Sequence, residues 1–230
     1  MPHSWVVVSC IMTSTEWFDR VFGLLVHPDV VEELARRKEQ FFVRTGTPHP
    51  EEASYEARMQ AFGEWVLLDP PEPGKRPWLV SLLDRGMLSG ELMAYARSLL
   101  ASQTGLFVLM SPWRKTAWVR DLIGGADFHV TARIPVDGLE PGQIMQTRIF
   151  VHDGSVGVTD GMIVHPVFAT EIIHQRVREM QTRDVPTMDI LHLMAKLAWR
   201  ASCYPRHAPE VFYDFDNPLV QDVVLSVFRR

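Results

Sequence analysis

Two pairs of residues in this chain have the types and spacing that could hold a metal ion. Glu171-Ile-Ile-His174 and Asp189-Ile-Leu-His192 each set a carboxylate and an imidazole three residues apart, which on a helix puts both groups on one face. Acid-x-x-His pairs on helices are the layout of di-iron bundles, where two further helices each add an inward Glu. The set here is incomplete, because one motif has Asp for Glu and the sequence does not single out the two further inward Glu that such a site needs. Nine His and 28 acids generate such pairs readily by chance, and polar residues on helix edges are the plainer reading. Glu171, His174, Asp189 and His192 therefore stand as an alternative, the site of a metal-dependent enzyme. Other reactive spacings are fragments. Cys203-Tyr-Pro-Arg-His207 is half of a zinc pattern, and Cys10 with His3 completes four ligands only if the fold joins distant parts of the chain. Asp153-Gly-Ser155-Val-Gly157 lacks the first Gly of a nucleophile elbow and lies between two strand-like runs. No Gly-rich loop precedes a helix with phosphate-binding spacing. The motifs assign no catalytic residue and call for no cofactor.

Binding chemistry has more material. Trp113, Trp118, Phe128 and Phe150 are interleaved with Arg114, Lys115, Arg120, His129, Arg148 and His152, the mixture of rings and cations on which small barrels stack single strands. Residues 105–164 nevertheless hold five Lys/Arg against six Asp/Glu, and the whole chain carries a net charge of −5. The basic excess that polyanion binding draws on is missing, so a nucleic-acid-binding barrel is a secondary alternative. Two surfaces are candidates for a protein partner: the strand face Gln146, Arg148, Phe150 and His152, and the acidic–aromatic stretch containing Phe212, Tyr213 and Phe215. The function expected is a non-enzymatic interaction or regulatory module whose protein partner the sequence does not identify.

The elements that must position these residues centre on 105–164. Asp153-Gly154 between apolar runs is a two-residue hairpin signal, since both turn positions need positive φ. It fixes a register: Val151 against Val156 and Ile149 against Val158 on one face, and His152 against Ser155, Phe150 against Gly157 and Arg148 against Thr159 on the other. The valine–isoleucine face is expected to be core and to hold the flanking helices. Gly124-Gly125, Ser111-Pro112 and Pro141-Gly142 mark further turns. They bound strands over Leu106–Met110, Ala117–Ile123, Ala126–Arg133 and Gln143–His152, with the Gly124-Gly125 register left open by Asp121 and Asp127. Five short strands at this spacing imply a small, strongly bent antiparallel barrel.

Helical periodicity fills the flanks. Helices are expected from Thr13, from Asp29 to Gly46, over Glu51–Leu68, Trp78–Asp84 and Gly90–Ser102, then over Pro166–Thr182 and Pro186–Ala201. A last one should start with Asn217 as N-cap and Pro218 at N1. Arg36-Arg37-Lys38 reads as a solvated helix face. The fold class is α+β, a small five-stranded antiparallel β-barrel flanked by N-terminal and C-terminal α-helices. Its parts are 1–104 helical, 105–164 barrel and 165–230 helical, packed as one unit. Two distant cysteines fit a reducing compartment. Met1–Ile11, with Trp5-Val6-Val7-Val8, reads as a short edge strand or as sequence ahead of a start at Met12. No segment has the length of a transmembrane helix, so a cytoplasmic protein without membrane contact is expected.

One resemblance rests on a series of short motifs: Phe62-Gly-Glu-Trp65-Val-Leu-Leu-Asp69, Ser102-Gln-Thr-Gly-Leu106-Phe107, Val119-Arg-Asp121-Leu-Ile, Leu139-Glu-Pro-Gly142-Gln-Ile and Arg148-Ile-Phe. Their order over Met59–Gln175 resembles a region of uncharacterised bacterial proteins, some of which carry a C-terminal SEC-C zinc motif. The resemblance implies helices wrapped around a small β unit. It transfers no catalytic residue, and the cysteine cluster of a SEC-C motif is absent from a chain with two cysteines.

Overall fold

The computed structural model describes residues 14–25, 28–72, 74–111, 116–131 and 138–228. The Asp153-Gly154 turn sets the sheet. Its residues have φ of 48° and 74°, the left-handed backbone that a type I′ turn requires and that Gly and Asp adopt at least cost. Strands β4 (Ile144–His152) and β5 (Ser155–Val158) leave the turn in the expected register, with Ile149 opposite Val158 and Phe150 opposite Gly157. Thr159 N–H extends it to the carbonyl of Arg148. The other edge of β4 pairs with β1 (Gln103–Leu109), followed by β2 (Ala117–Asp121) and β3 (Asp127–Val130), giving the order β3-β2-β1-β4-β5. A two-residue β6 (Ile163–Val164) pairs with β4 beyond β5.

The closed barrel expected from the turn spacing is corrected here: the strands form a curled, open half-barrel. β3 and β5 approach at Thr131, whose N–H bonds to the Val156 carbonyl and whose Oγ1 accepts from Val156 N–H. A side-chain oxygen thus stands where a second strand's carbonyl would continue a ladder, and strands of four residues extend the seam no further. At the β2–β3 turn, Asp121 resolves the open register. It accepts from Ile123 N–H at 2.9 Å and from Gln103 Nε2 at 2.7 Å, while a Cβ on Gly124 would lie 2.5 Å from its Oδ2. The acid that interrupts the alternation is the one that builds the turn.

The two faces of the sheet divide the core. The concave face carries Phe107, Leu109, Val119, Val130, Met145, Ile149 and Val158, which pack on one another inside the half-barrel. This corrects the expectation that the valines and isoleucines hold the helices. Val151, nearest the hairpin tip, is 58% exposed. The helices lie on the convex face instead. α1 (Ser14–Leu24), α2 (Pro28–Thr45), α3 (Tyr55–Leu68), α4 (Trp78–Asp84) and α5 (Gly90–Leu100) share an aromatic-rich cluster with Phe150. α6 (Thr170–Thr182), α7 (Thr187–Cys203) and α8 (Gln221–Phe228) pack on Leu106, Val108 and Ile144. Strand β4 is therefore covered on both sides, which explains why its polar–aromatic face is buried.

Buried arginines join the helices. The first turn's N–H groups and last turn's C=O groups of a helix lack intrahelical partners, and two arginines answer such carbonyls. Arg37 is 0% exposed, donates to Val66 O at 2.6 Å and lies over the rings of Trp65 and Trp78. The expectation of a solvated Arg36-Arg37-Lys38 face holds for Arg36 and Lys38 but not for Arg37. Arg58 donates to Thr45 O at the end of α2 and to Ala195 O on α7, both at 3.1 Å. Burial pulls its guanidinium down to about 10. The α2–α7 crossing also needs Gly46, where a Cβ would fall 2.2 Å from the Trp199 ring. At the C-terminus, Asn217 starts a turn, accepting from Leu219 N–H through Oδ1, and α8 begins only at Gln221. Among the described residues no helix is long and apolar enough to cross a membrane. Met1–Ile11, Trp113, Arg114 and Lys115 lie outside the described residues.

Candidate functional site

The four residues considered as metal ligands do not form a ligand set. Glu171 is exposed on α6, His174 and Asp189 are half-buried, and His192 is buried on α7 with its ring edge-on to Phe41. Among the described residues no group of three or more His, Cys, Asp or Glu is arranged to hold a metal ion. Cys203 is exposed, and His207 rests against the rings of Tyr204 and Phe212.

The two expected partner surfaces are occupied by the chain itself. Gln146, Arg148, Phe150 and His152 point at the helices. Arg148 pairs with Asp69 at 2.7 Å, Phe150 packs edge-on against Tyr95 on α5, and His152 bonds Ser98 Oγ through Nδ1 at 3.0 Å. Phe212, Tyr213 and Phe215 are buried among α6–α8. Tyr213 OH meets His165 Nδ1 at 2.9 Å, and burial lowers that imidazole to about 3 while raising the phenol. These residues are core, and Arg148, His152 and Tyr213 each have a polar partner within the chain.

A small cavity, mostly apolar in its walls but with several polar groups facing it, lies where the two helical groups meet on the sheet. It measures about 40 Å³ and is lined by Glu64, Asp69, Thr104, Gln146, Arg148 and His192, among others. That is room for about three waters and too little for an organic substrate. Thr104 Oγ1, Gln146 Oε1 and Arg148 Nε find no hydrogen-bond partner among the described residues. Glu64 accepts from Thr159 Oγ1 at 2.7 Å and from Gly161 N–H at 2.8 Å. Burial raises its carboxyl to about 7, against the opposing pull of Arg148. Asp69 is also raised by burial and drawn back by Arg148.

The outer face of the β2–β3 hairpin is different in kind. The described helices cover β1, β4 and β5 but leave this part of the convex face bare. Trp118 is 51% exposed and stacks on His129 across the pair, with ring centroids 4.9 Å apart and planes 23° from parallel. Arg120 and Asp127, the next cross-strand pair, are joined by two bonds of 2.7 and 2.9 Å. Met110 follows β1 on the same face, its N–H bonded to Trp118 O, and is exposed. Gly142 ties this end of the sheet to α6: its N–H bonds to Leu109 O and its carbonyl accepts from Thr170 Oγ1. Beside Thr170, Phe168 is 79% exposed. Trp118 and His129 belong to the ring–cation mixture read in the sequence. Met110 and Phe168 do not, although Phe168 lies out of phase with the buried stripe Ala169, Ile173, Val177 and Met180. Compared with known proteins, the chain matches no family model, no curated protein and no solved structure.

Proposed function

We propose that this protein is an interaction module that binds a protein partner through the uncovered outer face of its β2–β3 hairpin. The observation that carries the reading is the exposed Trp118–His129 stack on a sheet whose remaining outer face is covered by helices. An indole half out of water is held flat by its neighbour, so little side-chain entropy is left to lose on docking. Aromatic residues and Met are enriched at interfaces, and Trp is among the residue types enriched in hot spots. The charge beside the stack is already neutralised within the Arg120–Asp127 pair, which suits an apolar or aromatic partner segment better than a polyanion. Met110, exposed beside Trp118, adds to the apolar surface, and Phe168 is a further exposed ring past the Gly142 turn.

A photo-crosslinking side chain at position 118 or 168 tests this, with position 225 on α8 as the control. A protein adduct is expected at 118 and 168 and not at 225. Equal labelling at all three positions would contradict the reading. A stacked ring pair also suits a nucleobase, so single-stranded RNA is titrated at low and high salt. The protein reading predicts no saturable binding, whereas salt-dependent binding lost in Trp118→Ala would transfer the site to nucleic acid.

A further inference from the structure

Helix α6 runs along strand β1 on the convex face. Its buried residues Ile173, Val177 and Met180 share a cluster with Leu106 and Val108. At its start Thr170 bonds to Gly142, which is itself bonded to Leu109, and near its end Gln181 donates through Nε2 to the Ile123 carbonyl. Leu122 N–H bonds to Leu106 O, so the two ends of the helix stand at the two ends of Leu106–Leu109. One flank of α6 is covered, where Arg176 reaches Asp214 and the Phe215 ring and Arg183 lies over Phe228. The opposite flank carries Glu171, His174 and Arg178, at i, i+3 and i+7. Glu171 and Arg178 are exposed and enter no ion pair among the described residues. Beside this flank lie β2 and β3, where Met110, Trp118 and His129 stand opposite one another in a row that starts just past β1 and crosses both strands.

We propose that the protein partner contributes an amphipathic α-helix that lies beside α6 and continues the helical layer over β2 and β3, an inference that rests on the β2–β3 face being a protein interface. Two strands are about 10 Å across, close to the diameter of one helix with its side chains. The surface is a sheet face, whose backbone groups point sideways into strand pairing, so an extended segment laid on it finds no ladder to join. A helix bonds its own backbone and needs only side-chain contacts there. Its apolar residues at i, i+3 or i+4, and i+7 meet Met110, Trp118 and His129. Its edge toward α6 sets a basic residue against Glu171 and an acid against Arg178, two charges about 10 Å apart along the axis. Arg120 and Asp127 neutralise each other on the platform and ask for no charge from the helix.

Photo-crosslinking side chains at positions 118, 171 and 178 of the full chain test the helix separately from the interface. All three should label one partner segment, with the 171 and 178 adducts about seven residues apart in it, since both helices rise ~1.5 Å per residue. In an extended segment the same distance spans about three residues. Labelling from 118 with no adduct from 171 or 178, or with those adducts about three residues apart, overturns the helix and leaves the interface standing. No protein adduct at 118 removes both. Adducts to a second copy of this chain would make the face a self-contact and also overturn the proposal. A synthetic peptide of the labelled segment gives a second readout. Pro at its centre, on the side away from the labels, should raise its Kd for the full-length protein about 100-fold, the penalty for Pro inside a helix. Arg178→Glu should raise the Kd of the unmodified peptide about fivefold, the scale of an exposed ion pair. A Kd unchanged by Pro overturns the helix, and one unchanged by Arg178→Glu overturns its placement beside α6.

Discussion

Arg148 and Asp69 form a buried pair at 2.7 Å on the wall of the central cavity, and breaking such a pair leaves one charge without a counterpart. Arg148→Met or Asp69→Asn alone should cost roughly 3 kcal/mol, whereas the double variant should cost clearly less than the two added together. Additive losses in urea unfolding would show that the two groups do not work as a pair. His165 gives a pH prediction whose sign can be worked out. Its folded value of about 3 lies below its ordinary 6.5, so below pH 6.5 the unfolded chain takes up a proton that the folded chain refuses. Stability contributed by His165 is complete above pH 6.5 and is lost as pH falls toward 3. Between pH 7 and pH 4 the wild type should lose roughly 3 kcal/mol relative to His165→Gln. Parallel pH profiles of the two proteins would contradict the placement of this ring. At this scale the sequence was a poor guide to role. Arg37, Arg148, Phe150 and Tyr213 look like surface chemistry when read singly, and their burial depends on which helix crosses above them, which spacing along the chain does not encode.

Turns were the legible part among the elements. Asp153-Gly154 specified its hairpin and register because positive φ at both positions excludes most other residues, a purely local demand. Trp78–Asp84 and the start of α5 at Gly90 were likewise local, as was the end of α2 at Gly46. Where partner choice mattered, the reading failed. Barrel closure depends on whether β3 and β5 can pair, and the start of α8 depends on how the Asn217 turn packs. The contact between α3 and the 159–162 loop is of this non-local kind, and it makes a prediction. Gly161→Ala puts a methyl group into the Ala61 backbone and Glu64, so it should destabilise the fold by ~3 kcal/mol. Gly74→Ala, in open space but with positive φ, should cost about 1 kcal/mol. Equal effects would mean that α3 and the loop are not in close contact.

For the whole molecule, the fold is a curled sheet with its own core inside and helices from both ends of the chain on its outside. Among the described residues helix cover stops short of β2 and β3, and there Trp118 and His129 are exposed. The composition weighed against a polyanion-binding surface on charge grounds, but it could not say which of several aromatics would be left exposed. The most direct measurement is the affinity of the purified protein for the partner recovered by crosslinking at position 118, in the wild type and in Trp118→Ala. Trp118 packs on His129 rather than in the core, so the variant should unfold within about 0.5 kcal/mol of the wild type, and its Kd should rise at least about 30-fold, as expected for an aromatic anchor worth ~2 kcal/mol. An unchanged Kd in a folded Trp118→Ala protein would contradict the account.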